Sequence, residues 1–314
     1  MVGRVDAWHM IVQQLAYLAI VTAALLQMLA EAPDAPARSP RWVALRSAVL
    51  HFMLGTLLNI YVIFYFKSSS VLASFAFLTV IVVLLLANEW KRLGGLWLKF
   101  ALLALCWLSF AALVVPIAAG SIGPGVFLLS TLAGCVPLAL ASAFARRRRE
   151  ILLPLGLVLL GFLASYLVRI TPPVPLSIPF MGVYHSVERA GSDYRLSHER
   201  PAWRIWHHGD QWFRAQPGDR VHVYFRVFSP TRFSDLVVMR WFRKADDWVQ
   251  TDAIPISIVG GRDAGFRGHG FKSNWQPGRW KVQVETTDGR EIGRIYFSIE
   301  EAPPGPRSFR VVID

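Results

Sequence analysis

The stretch PAWRIWHHGDQWFRAQPGD, residues 201–219, crowds the most side chains able to do chemistry into the least chain. Trp203, Trp206 and Trp212 offer an aromatic platform that stacks on sugar rings of envelope glycans. Indoles equally cover a core edge or settle at a membrane interface. His207, His208, Asp210 and His222 carry atoms that ligate metals. Adjacent histidines on a strand point to opposite faces, so one ion cannot take both, and no metal site is expected.

A second group is basic. Arg240, Arg262, Arg267, His269 and Lys272 form a candidate patch at one end of the C-terminal domain. Guanidinium forks suit phosphate and carboxylate alike. Phospholipid heads, lipopolysaccharide phosphates and peptidoglycan carboxylates carry those groups outside the cytoplasm. Asp246, Asp247, Asp252 and Asp263 stand nearby, so a solvated face of mixed sign is the alternative. Gly260, Gly261, Gly265, Gly268 and Gly270 make this stretch a loop. It lacks the strand–loop–helix setting of a phosphate-cradling loop. There is no Gly-x-Ser-x-Gly elbow, carboxylate-pair cleft or nucleophile beside a base, so no catalytic residue and no cofactor are expected.

Composition says what must position these groups. Of 314 residues 54% are hydrophobic and 17% charged, less charge than soluble domains carry. Residues 8–168 are almost continuously apolar. Three units are expected: a polytopic helical domain over 1–170, a proline-rich linker over 171–179 (within RITPPVPLSIP), and a soluble domain over 180–314. The net charge of +12 invites a nucleic-acid partner. Yet residues 1–179 hold 13 Lys+Arg against 5 Asp+Glu, and the remaining 20 and 16 nearly balance. The excess flanks apolar segments, so the lipid bilayer is the expected partner and nucleic acid is not.

A membrane-spanning helix needs about 20 apolar residues. Six segments meet or approach this: 8–30, 47–66, 71–87, 97–118, 125–145 and 151–168. The intervening loops sort into two sides. Arg38, Arg41, Arg46, Lys91, Arg92, Lys99 and Arg146 to Arg149 share one; Arg4, Lys67 and Arg169 flank the other. Cytoplasmic flanks collect the Lys/Arg excess. The N-terminus and the C-terminal domain are therefore expected in the periplasm, with the chain in a bacterial inner membrane. Arg146, Arg147, Arg148 and Arg149 serve as a topology anchor, with attraction to anionic lipid heads as a by-product. A cleaved signal peptide ending near LAEA (29–32) is the rival. Its apolar run is too long, and Gln13 and Gln14 interrupt it.

Intramembrane polar groups are few. His51 and Asn59 are eight residues apart and share a helix face; Tyr61 and Tyr65 lie on the same span, and Gln13, Gln14 and Gln27 on the first. Interhelical hydrogen bonds explain them, and a polar transport track is the alternative. Pro116, Pro137 and Pro154 kink spans without forming matched broken helices, so the best sign of a transporter is missing. Cys106 and Cys135 both lie in apolar stretches and read as small hydrophobes.

From about residue 180 the apolar period becomes two. RVHVYFRVF (220–228) turns Val221, Val223, Phe225 and Val227 one way and His222, Tyr224 and Arg226 the other. DLVVMRWFRK (235–244), AIPISIVGG (253–261), RWKVQVET (279–286) and EIGRIYFSIE (291–300) follow, the last two joined by an Asp-Gly turn. An all-β antiparallel sandwich of immunoglobulin-like type is expected. PGRWKVQVETTDGREIGRIYFSI (277–299), preceded by GRDAGFRGHGFKSN (261–274), resembles the C-terminal domain of an uncharacterised family of bacterial membrane proteins. That domain of unknown function follows a multi-span region. The resemblance covers roughly residues 200–300 and implies a fold and a compartment. It transfers no catalytic residue.

The functional expectation is a membrane-anchored periplasmic module that binds an envelope component without catalysis, with Arg240, Arg262, Arg267, Lys272, Trp203 and Trp206 as candidate contacts. Its partner would be a glycan, an anionic lipid or a periplasmic protein. A transporter or channel subunit with a regulatory cap, and an envelope-modifying membrane enzyme, are the alternatives.

Overall fold

The computed structural model describes residues 7–31, 39–68, 95–201, 203–204, 207–230, 233–260 and 265–314. The expected span 71–87 lies outside them, as do Arg4, Arg38, Lys91, Arg92, Trp206 and Arg262. The chain divides into two compact units, Met1–Pro175 and Leu176–Asp314.

The first unit holds five described helices: α1 (Trp8–Ala30), α2 (Pro40–Lys67), α3 (Leu96–Ala119), α4 (Pro124–Phe144) and α5 (Arg149–Leu167). All five are long and apolar enough to cross a membrane. α2 starts earlier than its apolar run, because Pro40 sits in its first turn, where a missing N–H costs nothing. Arg41 and Arg46 therefore lie on a helix and not in a loop, and Arg46 pairs with Glu31 just after α1.

α3 is the hub. Of its apolar window 83% is buried, against 22–39% for the others. α4 approaches it through small side chains, Ser130, Thr131 and Gly134. A Cβ on Gly134 would lie 2.9 Å from the Leu108 Cα, the close backbone approach that small residues permit between helices in lipid. The hydroxyls of Ser130 and Thr131 bond back to Val126 and Leu128 carbonyls. Trp107 Nε1 donates to Thr22 Oγ1 at 3.1 Å, tying α3 to α1. Outward faces stay greasy: Leu128, Leu132, Leu140, Leu153 and Leu160 are more than half exposed. A helix apolar on all sides belongs in a protein core or in lipid.

The proline-rich stretch is not a free spacer. Thr171 bonds back to Ser165 near the end of α5, Val174 joins the helical core, and the first strand opens at Ser177, inside the expected linker.

The second unit is β-rich. Its strands are β1 (Ser177–Tyr184), β2 (Ser186–Ala190), β3 (Asp193–His198), β4 (Trp212–Ala215), β5 (Val221–Phe228), β6 (Ser234–Lys244), β7 (Trp248–Val259), β8 (Phe266–Lys272), β9 (Gly278–Thr286), β10 (Glu291–Glu301) and β11 (Arg310–Ile313). They form sheets β4-β10-β9-β6-β7, β1-β5-β8 and β11-β3-β2. Pairing is antiparallel except that β4 runs parallel to β10.

The expected alternation holds. Val221, Val223, Phe225 and Val227 are fully buried, as are Trp280, Val282 and Val284, and Ile295, Phe297 and Ile299 are nearly so. The five-stranded and middle sheets face each other: a side chain on Gly270 of β8 would displace Met239 of β6. Tyr224 departs from the outward, solvated position expected of it. It is fully buried, because the middle sheet is covered on its second face too. There Tyr184, Tyr224 and Leu196 form a smaller core with Phe180, Val187 and Tyr194. The result is sandwich-like with a third layer added.

Candidate functional site

β4 is short and alternates strictly: Phe213 and Ala215 point inward, Trp212 and Arg214 outward. It floors a cleft of about 720 Å³, with Glu199 to Pro201, Arg204, His207 and Gly209 to Gln211 on one wall and Ala302 to Ser308 on the other. That size suits a small ligand.

The first of these walls is seated by Gly209 and Asp210. Gly209 adopts φ 70° and bridges Val183, where a Cβ would overlap the Val183 carbonyl. Only glycine satisfies both demands. The Asp210 N–H then donates to the Val183 carbonyl at 2.7 Å, and its Oδ2 accepts the Glu199 N–H at 2.7 Å. The opposite wall is pinned by side chains. Gln216 Nε2 donates to the carbonyls of Pro303 and Gly305 at 2.8 and 3.2 Å. Arg307 grips Asp219 with both Nη atoms at 2.8 and 2.9 Å and donates to the Arg214 carbonyl at 3.1 Å. Burial alone would raise Asp219, but this fork and the Gln216 N–H outweigh it and hold its carboxyl below the usual range.

Behind the wall lies a buried histidine that the sequence did not single out. His185 stacks on Phe213 at 4.0 Å, with Nε2 3.5 Å from Asp210 and 3.8 Å from Glu199. Burial, then the Arg307 charge, pushes it down to about 4. Burial, outweighing the backbone N–H groups, pushes Asp210 up to about 6.

Two tryptophans of the aromatic motif, Trp203 and Trp212, flank one cation. The Arg204 guanidinium lies 4.7 Å from the Trp203 ring and 4.3 Å from the Trp212 ring. His207 rests 5.6 Å from Trp212. His208 instead packs on Phe180, and His222 beside Phe271 on β8. Among the described residues no three metal-ligating side chains converge. Trp203 and Trp212 are both more than half exposed.

The basic residues of the expected patch are not gathered. Arg240, on the outer face of the five-stranded sheet, bonds Glu285 at 3.0 Å and Gln250 at 3.0 Å. Arg267 and Lys272 are five apart on β8 and so face opposite ways. Arg267 lies near Asp193 and Asp314, at 3.6 and 3.5 Å, and donates to the Ser192 carbonyl. Lys272 is buried, pairs with Asp252 and sits over the Trp280 ring. The Asp252 carboxyl is held below its usual range because that pairing, with a Thr251 bond, outweighs the cost of burial.

In the helical unit Arg146 to Arg149 are all exposed, the first three between α4 and α5 and Arg149 at the start of α5. Arg147 pairs with Glu150, and Arg148 donates to the Ala143 carbonyl. His51 and Asn59 do share a face, and it is an exposed one. His51 bonds the Ser47 carbonyl of its own helix. Cys106 is buried and Cys135 half-buried, both as free thiols.

Sequence reasoning missed Arg204, Arg214, His185 and Arg307. Arg204 had a signal, since it lies between tryptophans in a motif already marked. The others become visible only when strands far apart in sequence are paired. No curated protein matches the chain. A family model described as a protein of unknown function, DUF2914, matches residues 234–299, from β6 into β10, and leaves out both the cleft and the helices.

Proposed function

We propose that this chain is a six-span inner-membrane protein whose β-rich domain, an elaborated immunoglobulin-like sandwich, stands in the periplasm and binds an envelope component. The cleft over β4 carries this reading: two pinned walls around an exposed tryptophan and arginine make a preformed pocket. Greasy outward helix faces and the ten-to-three bias of basic flanks support membrane insertion and orientation. The transporter alternative loses ground, because His51 and Asn59 face outward from the described bundle.

Two measurements test it. A reporter that fluoresces only in the cytoplasm, fused after Asp314, stays dark; a glowing fusion overturns the compartment. Photoreactive benzoylphenylalanine in place of Gln211, on the cleft wall, yields an ultraviolet-dependent adduct with envelope material in living cells. Absence of any adduct overturns binding at the cleft.

A further inference from the structure

We propose that the cleft takes an acidic sugar, a saccharide ring resting against Trp212 with its carboxylate or phosphate held by Arg204 and Arg214. The proposal rests on the preceding reading of the cleft as a binding pocket and names what binds there.

Four arginines line the cleft, and they differ in what their N–H groups do. Arg307 is spent on Asp219 and a backbone carbonyl. Arg200 donates to the Arg204 carbonyl. Arg204 and Arg214 are the open pair: among the described residues, neither guanidinium has a hydrogen-bond acceptor or an acid within ion-pair reach. Arg204 is nevertheless fixed, since tryptophan rings cover its faces. Stacking occupies the face of a guanidinium and leaves the in-plane N–H fork for an oxyanion. Arg214 follows Trp212 by two residues on the same face of β4, so the two side chains stand roughly 7 Å apart. Glu300 is Arg214's register partner on β10, yet no ion pair forms between them. A half-exposed indole flanked by two unsatisfied guanidinium groups matches a ring that carries a negative charge. A bare anion would leave the exposed part of the indole, the part that Arg204 does not cover, unused, and a neutral glycan would leave both forks empty.

The test uses the full chain in phosphatidylcholine nanodiscs, titrated with trigalacturonate, glucose 1-phosphate, maltotriose, inorganic phosphate and phosphatidylglycerol vesicles. At least one acidic sugar binds 10-fold or more tighter than maltotriose and inorganic phosphate. Which of the two wins tells a carboxylated glycan from a sugar phosphate. Arg204→Gln, Arg214→Gln and Trp212→Ala each weaken that binding about 10-fold, while the arginine variants melt with the wild type. Maltotriose binding as tightly overturns the charge requirement; inorganic phosphate binding as tightly overturns the ring contact. Tighter binding of the vesicles assigns the cleft to lipid heads and overturns the proposal. If no probe binds while the Gln211 adduct forms, the ligand class falls and the binding module stands. If neither occurs, both fall.

Discussion

The β-rich unit has two sets of basic side chains, and they are used in opposite ways. On strands β6 and β8, Arg240, Arg267 and Lys272 each lie beside an acid and contribute to the fold. Around β4, Arg204 and Arg214 are held or aimed by neighbours, and among the described residues none accepts a hydrogen bond from either guanidinium. Equal charge on the page thus hides a difference in vacancy. A guanidinium already bonded to a carboxylate has part of its fork occupied and part of its charge offset, whereas an unbonded one only sheds water. Exposure alone does not separate the two sets; the acceptors within reach do.

The strongest way to break the contrast is at Gly209. Gly209→Ala forces a side chain into a left-handed backbone and against the Val183 carbonyl. We expect a loss on the order of 3 kcal/mol in denaturant unfolding. Ligand binding at the cleft disappears with it, while β6 and β8 keep their amide-exchange protection. Retained stability would mean that the loop 199–211 is seated by something else.

Acid sharpens the contrast, because the cleft wall is backed by a strongly shifted acid–base pair. Folded His185 sits at about 4 against an ordinary 6.5, so the unfolded chain takes that proton first. Its contribution falls by about 3 kcal/mol as pH drops from 6.5 to 4. Folded Asp210 sits at about 6 against 3.8, so the folded chain takes that proton first, and its contribution rises by a similar amount over pH 6 to 3.8. The two slopes oppose each other in the wild type. Asp210→Asn therefore loses more stability on acidification than the wild type, and His185→Gln loses less. Parallel pH profiles for both variants would contradict the assignment.

The smallest effects come from exchanging one cation of each kind. Lys272→Met leaves Asp252 unpaired and costs about 2 kcal/mol in unfolding, without touching ligand affinity. Arg214→Gln costs less than about 0.5 kcal/mol, because no protein bond is lost. A stability loss at Arg214 as large as that at Lys272 would erase the distinction between the sets.

Much of the fold was legible in the sequence. Uninterrupted apolar runs placed four of the five described helices within two residues of their ends, and β5, β9 and β10 announced their inward faces by strict alternation. Three things were not. The sheet of β2, β3 and β11 is built from strands of four to six residues, such as Ser186–Ala190, too short to show a strong period. The parallel pairing of β4 with β10 joins residues more than 80 apart in sequence. The state of each cation depends on partners that the linear order conceals. Glu285 lies 45 residues beyond Arg240, and Lys272 lies 20 beyond Asp252. Counting basic residues therefore favoured the set already engaged and passed over the set left open.

The Arg307–Asp219 fork joins positions 88 residues apart. A chain emerging from the ribosome has no finished pocket until nearly the whole second unit has been made.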